Sequence, residues 1–349
     1  MASGQQLRTI GGAVAACVCA IAVLESGPAA HDRSTQVTWT TDVEPILKTR
    51  CVGCHDAGGF GPMPLASYHD ARDAAKAIRQ EVLERRMPPW PAARGFGDFA
   101  NDRSLTPLEA ELLTAWADGG APLGPPAGAP AAAAAATSSR AADLVLTVPS
   151  AHAVTALTAQ FEWPTTLEHD QWMTGWEFRP GNRAIIEQAI VSIAPGTALG
   201  AWTPPEGAVT YPAGVAQRLP AGARVRLELR YRKSAAPQVD QSAVALYFGK
   251  RAARELRHDA LPCGDTTLDK DIEALAVTPR VPRAGEWIEV VARRPDQSVE
   301  ALCVVRRYET QYPITYRFRN AVRIPHGSVV HVASSSAACD ADLEFTAHQ

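Results

Sequence analysis

The sequence predicts a multidomain chain, with a mainly α domain in its first third followed by an all-β region. Three observations predict this. Helix signals cluster around a Cys-X-X-Cys-His run within residues 36–124. A Pro- and Ala-rich stretch at 125–142 then interrupts all periodicity. From 143 onward apolar residues fall at every second position in short runs, the pattern of antiparallel β-sandwiches.

Composition limits what such a chain can be. Of 349 residues 46% are hydrophobic and 20% charged, with a net charge of −3, enough apolar material for a core and no basic excess for nucleic acid. No uncharged apolar run reaches the roughly 18–20 residues of a membrane span. A coiled coil, a collagen and a multi-pass membrane protein are excluded.

The elements follow in order. Residues 1–30 have the layout of an export signal: Arg8, an uncharged stretch from Ile10 to Leu24, then small residues at Gly27, Ala29 and Ala30. The same segment is long enough to be weighed as a retained anchor, and Cys17 as a lipoprotein cysteine. Export places the protein in the periplasm or another extracytoplasmic, oxidising compartment. Thr41 to Thr49 predicts a helix leading into the cysteines, and Tyr68 to Arg86 a second. Thr106 and Pro107 supply an N-cap and a proline at N1 for a third helix, which Gly119 and Gly120 stop. Trp116 and Leu112 on it either cover a cofactor or pack in a core. In the β region Val225, Leu227, Leu229 and Tyr231 alternate with charged neighbours, and similar runs recur to residue 333. The β region divides into two sandwiches, 143–250 and 251–349.

The chemical signal lies at Cys51-Val52-Gly53-Cys54-His55. Two thiols three positions apart on one helical turn can add to the two vinyl groups of a porphyrin, and the adjacent imidazole then reaches the iron. Zinc would need further ligands close by, and the next cysteine is Cys263. A thioredoxin-like dithiol would need a βαβ context, which is absent. The expectation is one covalent haem c, with His55 as proximal ligand. Met63 and Met87 are the candidates for the distal ligand. Met87 is the expected one, because it follows a helix and enters an extended Pro-rich segment; Met63 is expected near the haem edge.

The run Gly61-Pro62-Met63-Pro64-Leu65 with Ser67-Tyr68, the run Arg86-Met87-Pro88-Pro89-Trp90, and the run from Leu113 to Pro122 carry a closer likeness. Residues 38–124 resemble a class I cytochrome c domain of the kind fused to copper type II, ascorbate-dependent monooxygenase-like domains in bacteria. The likeness continues through Glu177 to Asn182, Leu199 to Pro204, Tyr211 to Val215, Val277 to Pro279 and Ile324 to Gly327. It implies that residues 143–349 form the tandem jelly-roll sandwiches of peptidylglycine-hydroxylating-type monooxygenases.

That family holds two coppers, chiefly on imidazoles. Here the matching positions carry Glu187 and Gln188 for a His-His pair, and Arg230 for a third histidine. The second site reads Arg280, Val281 and Pro282 where the family has His-X-His, and no methionine follows Met173. Arginine stays protonated and offers no lone pair. Copper is therefore not expected, and the former copper cleft is read as a polar, partly basic surface. Of the remaining cysteines, the resemblance pairs Cys263 with Cys339 and leaves Cys303 as a buried thiol.

The reading is an exported monohaem cytochrome that carries single electrons, its β region serving for docking or assembly. Its partner is a redox protein or electron-transfer complex, with no nucleic acid and with membrane contact only through an uncleaved N-terminal segment. The competing readings are a copper monooxygenase fed by its own haem, and an accessory subunit of a larger electron-transfer complex.

Overall fold

The computed structural model describes residues 37–126, 140–148, 152–250, 254–310 and 313–347. The expected export segment, and residues 127–139 of the expected linker, lie outside them. Among the described residues no helix is long and apolar enough to cross a membrane.

The expected mainly α first domain is not what forms. Of the described residues 42% are strand and 13% helix, and the helices are short. A π-helical turn, Trp39–Val43, leads into α1 (Glu44–Arg50); α2 (Tyr68–Asp73), α3 (Ala75–Leu83) and α4 (Pro107–Asp118) follow. The reason is local. Residues 53–64 carry four glycines and two prolines, and residues 88–97 carry three prolines and two glycines, so neither stretch can propagate a helix. The single helix expected over Tyr68 to Arg86 breaks at Ala74 and stops at Leu83. The helix expected after Thr106 is present. Thr106 accepts from the Glu109 amide and Glu109 reaches back to the Thr106 amide, a full capping box, and Gly119 ends it.

These helices share a small core in which Trp39, Leu47, Leu113 and Trp116 are buried. Trp116 donates its indole N–H to the Pro122 carbonyl at 3.0 Å. It is thus a core residue tied to the chain that leaves α4.

The β region starts with β1 (Leu144–Thr147), β2 (His152–Ala153), β3 (Thr158–Pro164), β4 (Gln171–Arg179), β5 (Ile186–Ala194) and β6 (Thr197–Trp202). It continues with β7 (Val209–Thr210), β8 (Val215–Leu219), β9 (Arg224–Tyr231), β10 (Val239–Asp240) and β11 (Ala243–Gly249). The second half holds β12 (Arg254–Pro262), β13 (Gly264–Thr267), β14 (Ile272–Arg280), β15 (Ile288–Arg293) and β16 (Val299–Val305). It ends with β17 (Tyr316–Ile324), β18 (Val329–Ser334) and β19 (Asp340–Ala347).

The strands make two sandwiches that share one sheet. A nine-stranded sheet runs β1-β11-β4-β8-β12-β19-β14-β17, with β7 paired to β4. Its two halves meet where β8 and β12 pair in parallel, Val215 opposite Arg254. The four-stranded sheet β3-β9-β5-β6 covers the first half and β13-β18-β15-β16 the second. Trp176, Ile186, Leu227 and Leu246 fill the first core, and Val277, Val290, Leu343 and Phe345 the second. Cys263 and Cys339 form a disulfide, and Cys303 is a buried free thiol.

The segment after Met87 leaves the helices and joins the second sandwich. Ala92 bridges to Val305 and Phe99 to Phe318, and both Ala92 and Phe99 belong to the second core. The Trp90 ring stands edge-on to Tyr316 at 5.1 Å.

Candidate functional site

One cleft brings the sequence-predicted residues together. Cys51, Cys54, His55, Met63 and Met87 all line it. It encloses about 330 Å³, and about 1230 Å³ when the space open to solvent is included. Its wall is mostly apolar, with Leu65, Ile78, Val82 and Leu105 contributed by the helical part. The first sandwich closes one side through Glu187, Pro204 and Arg232.

The cysteine turn is built by α1. Its last turn runs on through the Cys51 amide, which donates to the Leu47 carbonyl at 2.9 Å, and the His55 amide donates to the Cys51 carbonyl at 3.0 Å. Both thiols are therefore held on one turn beside the imidazole. Both are free. Burial, reinforced by the neighbouring Cys54, pushes the Cys51 thiol up to about 12, and burial also raises Cys54.

His55 is buried and fixed. Its Nδ1 lies 2.9 Å from the Met63 carbonyl, which can only accept, so Nδ1 carries the proton and the Nε2 lone pair is free to bind a metal. Gly61 lies against the ring: a Cβ there would come 2.5 Å from Nδ1. The Gly61 amide in turn donates to the Cys54 carbonyl at 2.7 Å and the Leu65 amide to the His55 carbonyl at 2.7 Å, closing the loop over the imidazole.

The two methionines are placed differently. The Met63 carbonyl is on the Nδ1 side of His55, behind the imidazole, and its side chain packs against the helical core. Met87 enters the cleft from the chain leaving α3.

Several residues at this site carry no sequence signal. Arg183 pairs with Asp56 at 2.8 Å and donates to the Gly53 carbonyl at 3.0 Å, gripping the cysteine turn from the first sandwich. Arg232 donates to the Phe60 carbonyl at 2.7 Å and lies 4.7 Å from the centre of its ring. Arg103 reaches the Pro204 carbonyl at 2.7 Å. Gly53 sits close against Pro205, where a Cβ would come within 2.7 Å. Arginines scattered through strands and loops read as ordinary surface charge, and only the fold reveals their shared target.

Two of the positions matched to copper ligands, Gln188 and Arg280, border a second cleft of about 210 Å³ between the sandwiches. Thr278, Tyr308 and Asp342 line it with them. Arg230 is opposite Gln188 across β5 and β9, and it donates to the Thr310 carbonyl at 3.5 Å. Arg280 is not free, since it pairs with Asp340 at 2.7 Å. Pro282 is exposed outside the cleft. Glu187 parts company with Gln188 and borders the first cleft, as adjacent side chains on a strand point to opposite faces. Burial pushes the Tyr308 phenol up to about 12, and the cleft offers hydroxyl, amide, guanidinium and carboxylate groups.

No family model matches the sequence, and no curated protein does. Among solved structures, the turret protein A223 of Sulfolobus turreted icosahedral virus is 11% identical, with 59% of this chain and 97% of that chain covered and a TM-score of 0.18. A variant of oxalate decarboxylase from Bacillus subtilis is 6% identical, with 59% and 78% covered and a TM-score of 0.15. Likenesses this weak carry no argument about fold or function.

Proposed function

We propose that the protein is a monohaem c-type electron carrier acting outside the cytoplasm, with its β-sandwiches as a docking or assembly platform. The observation that carries the reading is the convergence of Cys51, Cys54, His55 and Met87 on one apolar cleft, with the His55 Nε2 lone pair left free. The thiols are placed to hold a porphyrin by two thioethers, and the Met63 carbonyl and Gly61 keep the imidazole upright. Met87 is the distal ligand. A bound haem would supply a one-electron iron couple, set high by Met/His ligation relative to bis-His. The chain's own part is burial, orientation and exclusion of water. Arg232 and Arg183 seat the cysteine turn on the first sandwich. The Cys263–Cys339 disulfide suits an oxidising compartment.

The test is expression in a host that matures c-type haem, followed by a reduced-minus-oxidised spectrum and metal analysis. Iron at one per chain that survives acid–organic extraction, and is lost in a Cys51→Ala, Cys54→Ala double variant, is the expected result. Two coppers per chain would replace this reading with a copper monooxygenase. Extractable haem that is indifferent to the cysteines would end the covalent assignment.

A further inference from the structure

On β19, Ala341, Leu343 and Phe345 point into the second core. The alternate residues Asp342, Glu344 and Thr346 therefore lie on the opposite face, toward the first sandwich. All three are nevertheless buried, and Asp342 lines the cleft it shares with Gln188 and Ala201 of the first sandwich. Two acids on a covered face need compensation.

The strand register supplies a histidine. His258 on β12 is directly opposite Glu344, and Ala260 is opposite Asp342. The His258 side chain is 6% exposed, and Nδ1 lies 3.3 Å from Asp342 Oδ2. That contact is long for a charge-assisted hydrogen bond, which closes to about 2.7–2.9 Å. One ligand atom from each of His258, Asp342 and Glu344 lies within 4.8 Å of the others. Two polar atoms of the cluster face no partner at all, His258 Nε2 and Glu344 Oε1, and Glu344 is 4% exposed. A buried acceptor left unpaired costs about 1–3 kcal/mol, more when charged.

Arg317 on β17 is the competing explanation. Ala276 stands between it and Glu344 in the same row of the sheet, and its small side chain leaves room above. Yet Nε and Nη2 of Arg317 are also buried without a partner. The guanidinium lowers the field around Glu344 without bonding to it, so the carboxylate remains available.

We propose that His258, Asp342 and Glu344 form a binding site for a first-row divalent cation such as Zn²⁺, opening onto the cleft between the sandwiches. One imidazole and two carboxylates are a donor set for Zn²⁺ or Mn²⁺, whereas Ca²⁺ and Mg²⁺ favour all-oxygen shells with several waters. The dication balances the two carboxylates while His258 is neutral. Water fills the remaining position from the cleft through the Asp342 side. None of these residues is a position matched to a copper ligand, and the sequence separation of 84 between His258 and Asp342 hides the site from any spacing motif. The ion would clasp β12 to β19.

The full-length chain, stripped with a chelator and desalted, is titrated with ZnCl₂ by calorimetry, and retained zinc is counted per chain separately from iron. One zinc per chain and a zinc-dependent rise in melting temperature are expected. Glu344→Gln and Asp342→Asn each keep side-chain volume, and each weakens binding by roughly tenfold or more. His331→Ala, at an exposed His331–Asp265 pair, leaves binding unchanged. Failure of the wild-type chain to retain zinc overturns the site, and so does equal affinity in Glu344→Gln and Asp342→Asn. If both variants misfold, the wild-type measurement still decides. Because iron is counted apart, a failed haem assignment would not be mistaken for a failed zinc site.

Discussion

Glu187 and Gln188 are neighbours on β5, yet they border two clefts of opposite chemistry. The first cleft is largely apolar and collects two thiols, an imidazole and two thioethers. The second lies between the sandwiches and presents an amide, hydroxyls, the Asp342 carboxylate and a guanidinium already paired with Asp340. The difference lies in what a metal would find. In the first, the His55 Nε2 lone pair borders a largely apolar space. In the second, Gln188 and Arg280 offer nothing that binds copper. Adjacent side chains on a strand point to opposite faces, so a motif read as a pair need not act as one.

The contrast is sharpest at the distal ligand, where the largest effect is expected. If Met87 faces Nε2 and the Met63 carbonyl serves only to orient His55, Met87→His lowers the reduction potential toward the bis-His range. Met63→Leu keeps the carbonyl and leaves the potential near the wild-type value. A redox titration of both variants decides. A drop in Met63→Leu with none in Met87→His would exchange their roles.

Legibility of the sequence followed the range of the interactions concerned. Thr106, Pro107 and Glu109 announce α4 because capping is local. The alternation from Arg224 to Tyr231 announces β9 because one face must be buried. Cys51, Cys54 and His55 fall within one five-residue run, so their gathering on one cleft is local and legible. The course of residues 88–104 cannot: its prolines and glycines leave no periodicity, and Trp90 and Phe99 are placed by Tyr316 and Phe318, more than 200 residues away. That same density of Gly and Pro is why the anticipated α domain shrinks to four short helices. Arg183 and Arg232 are illegible for a related reason, since nothing in a strand sequence states which carbonyl an arginine will meet.

A smaller effect links the cleft to acid stability. Burial works against the Glu109 charge, but the Thr106 amide and the Arg50 guanidinium outweigh it and hold the carboxyl below the usual carboxylate range. Arg50 also lines the first cleft, 3.2 Å from Glu109. A depressed carboxylate stabilises the fold above its unfolded value of about 4.3 and loses that contribution as pH falls through the lower folded value. Glu109→Gln retains the capping hydrogen bond and discards the charge. Wild type should exceed it by about 0.5–1 kcal/mol at neutral pH, the gap narrowing below about pH 4. Denaturant melts across that range check it. A gap that widens in acid would show that Arg50 and Glu109 are not coupled through charge.

The smallest effect is expected in the second cleft. Arg280 and Asp340 face each other across β14 and β19, and both side chains are 44% exposed. Pairs this accessible are worth about 0–1 kcal/mol, because water screens the charges and ordering two side chains costs entropy. Arg280→Ala should therefore leave the melting temperature nearly unchanged. It should also leave the haem spectrum and potential unchanged, since β14 lends no residue to the first cleft. Spectroscopy of that variant beside Met87→His places the two clefts on one scale. A shifted potential in Arg280→Ala would mean that the polar cleft is sensed at the iron, and the separation of the two clefts at β5 would be structural without being functional.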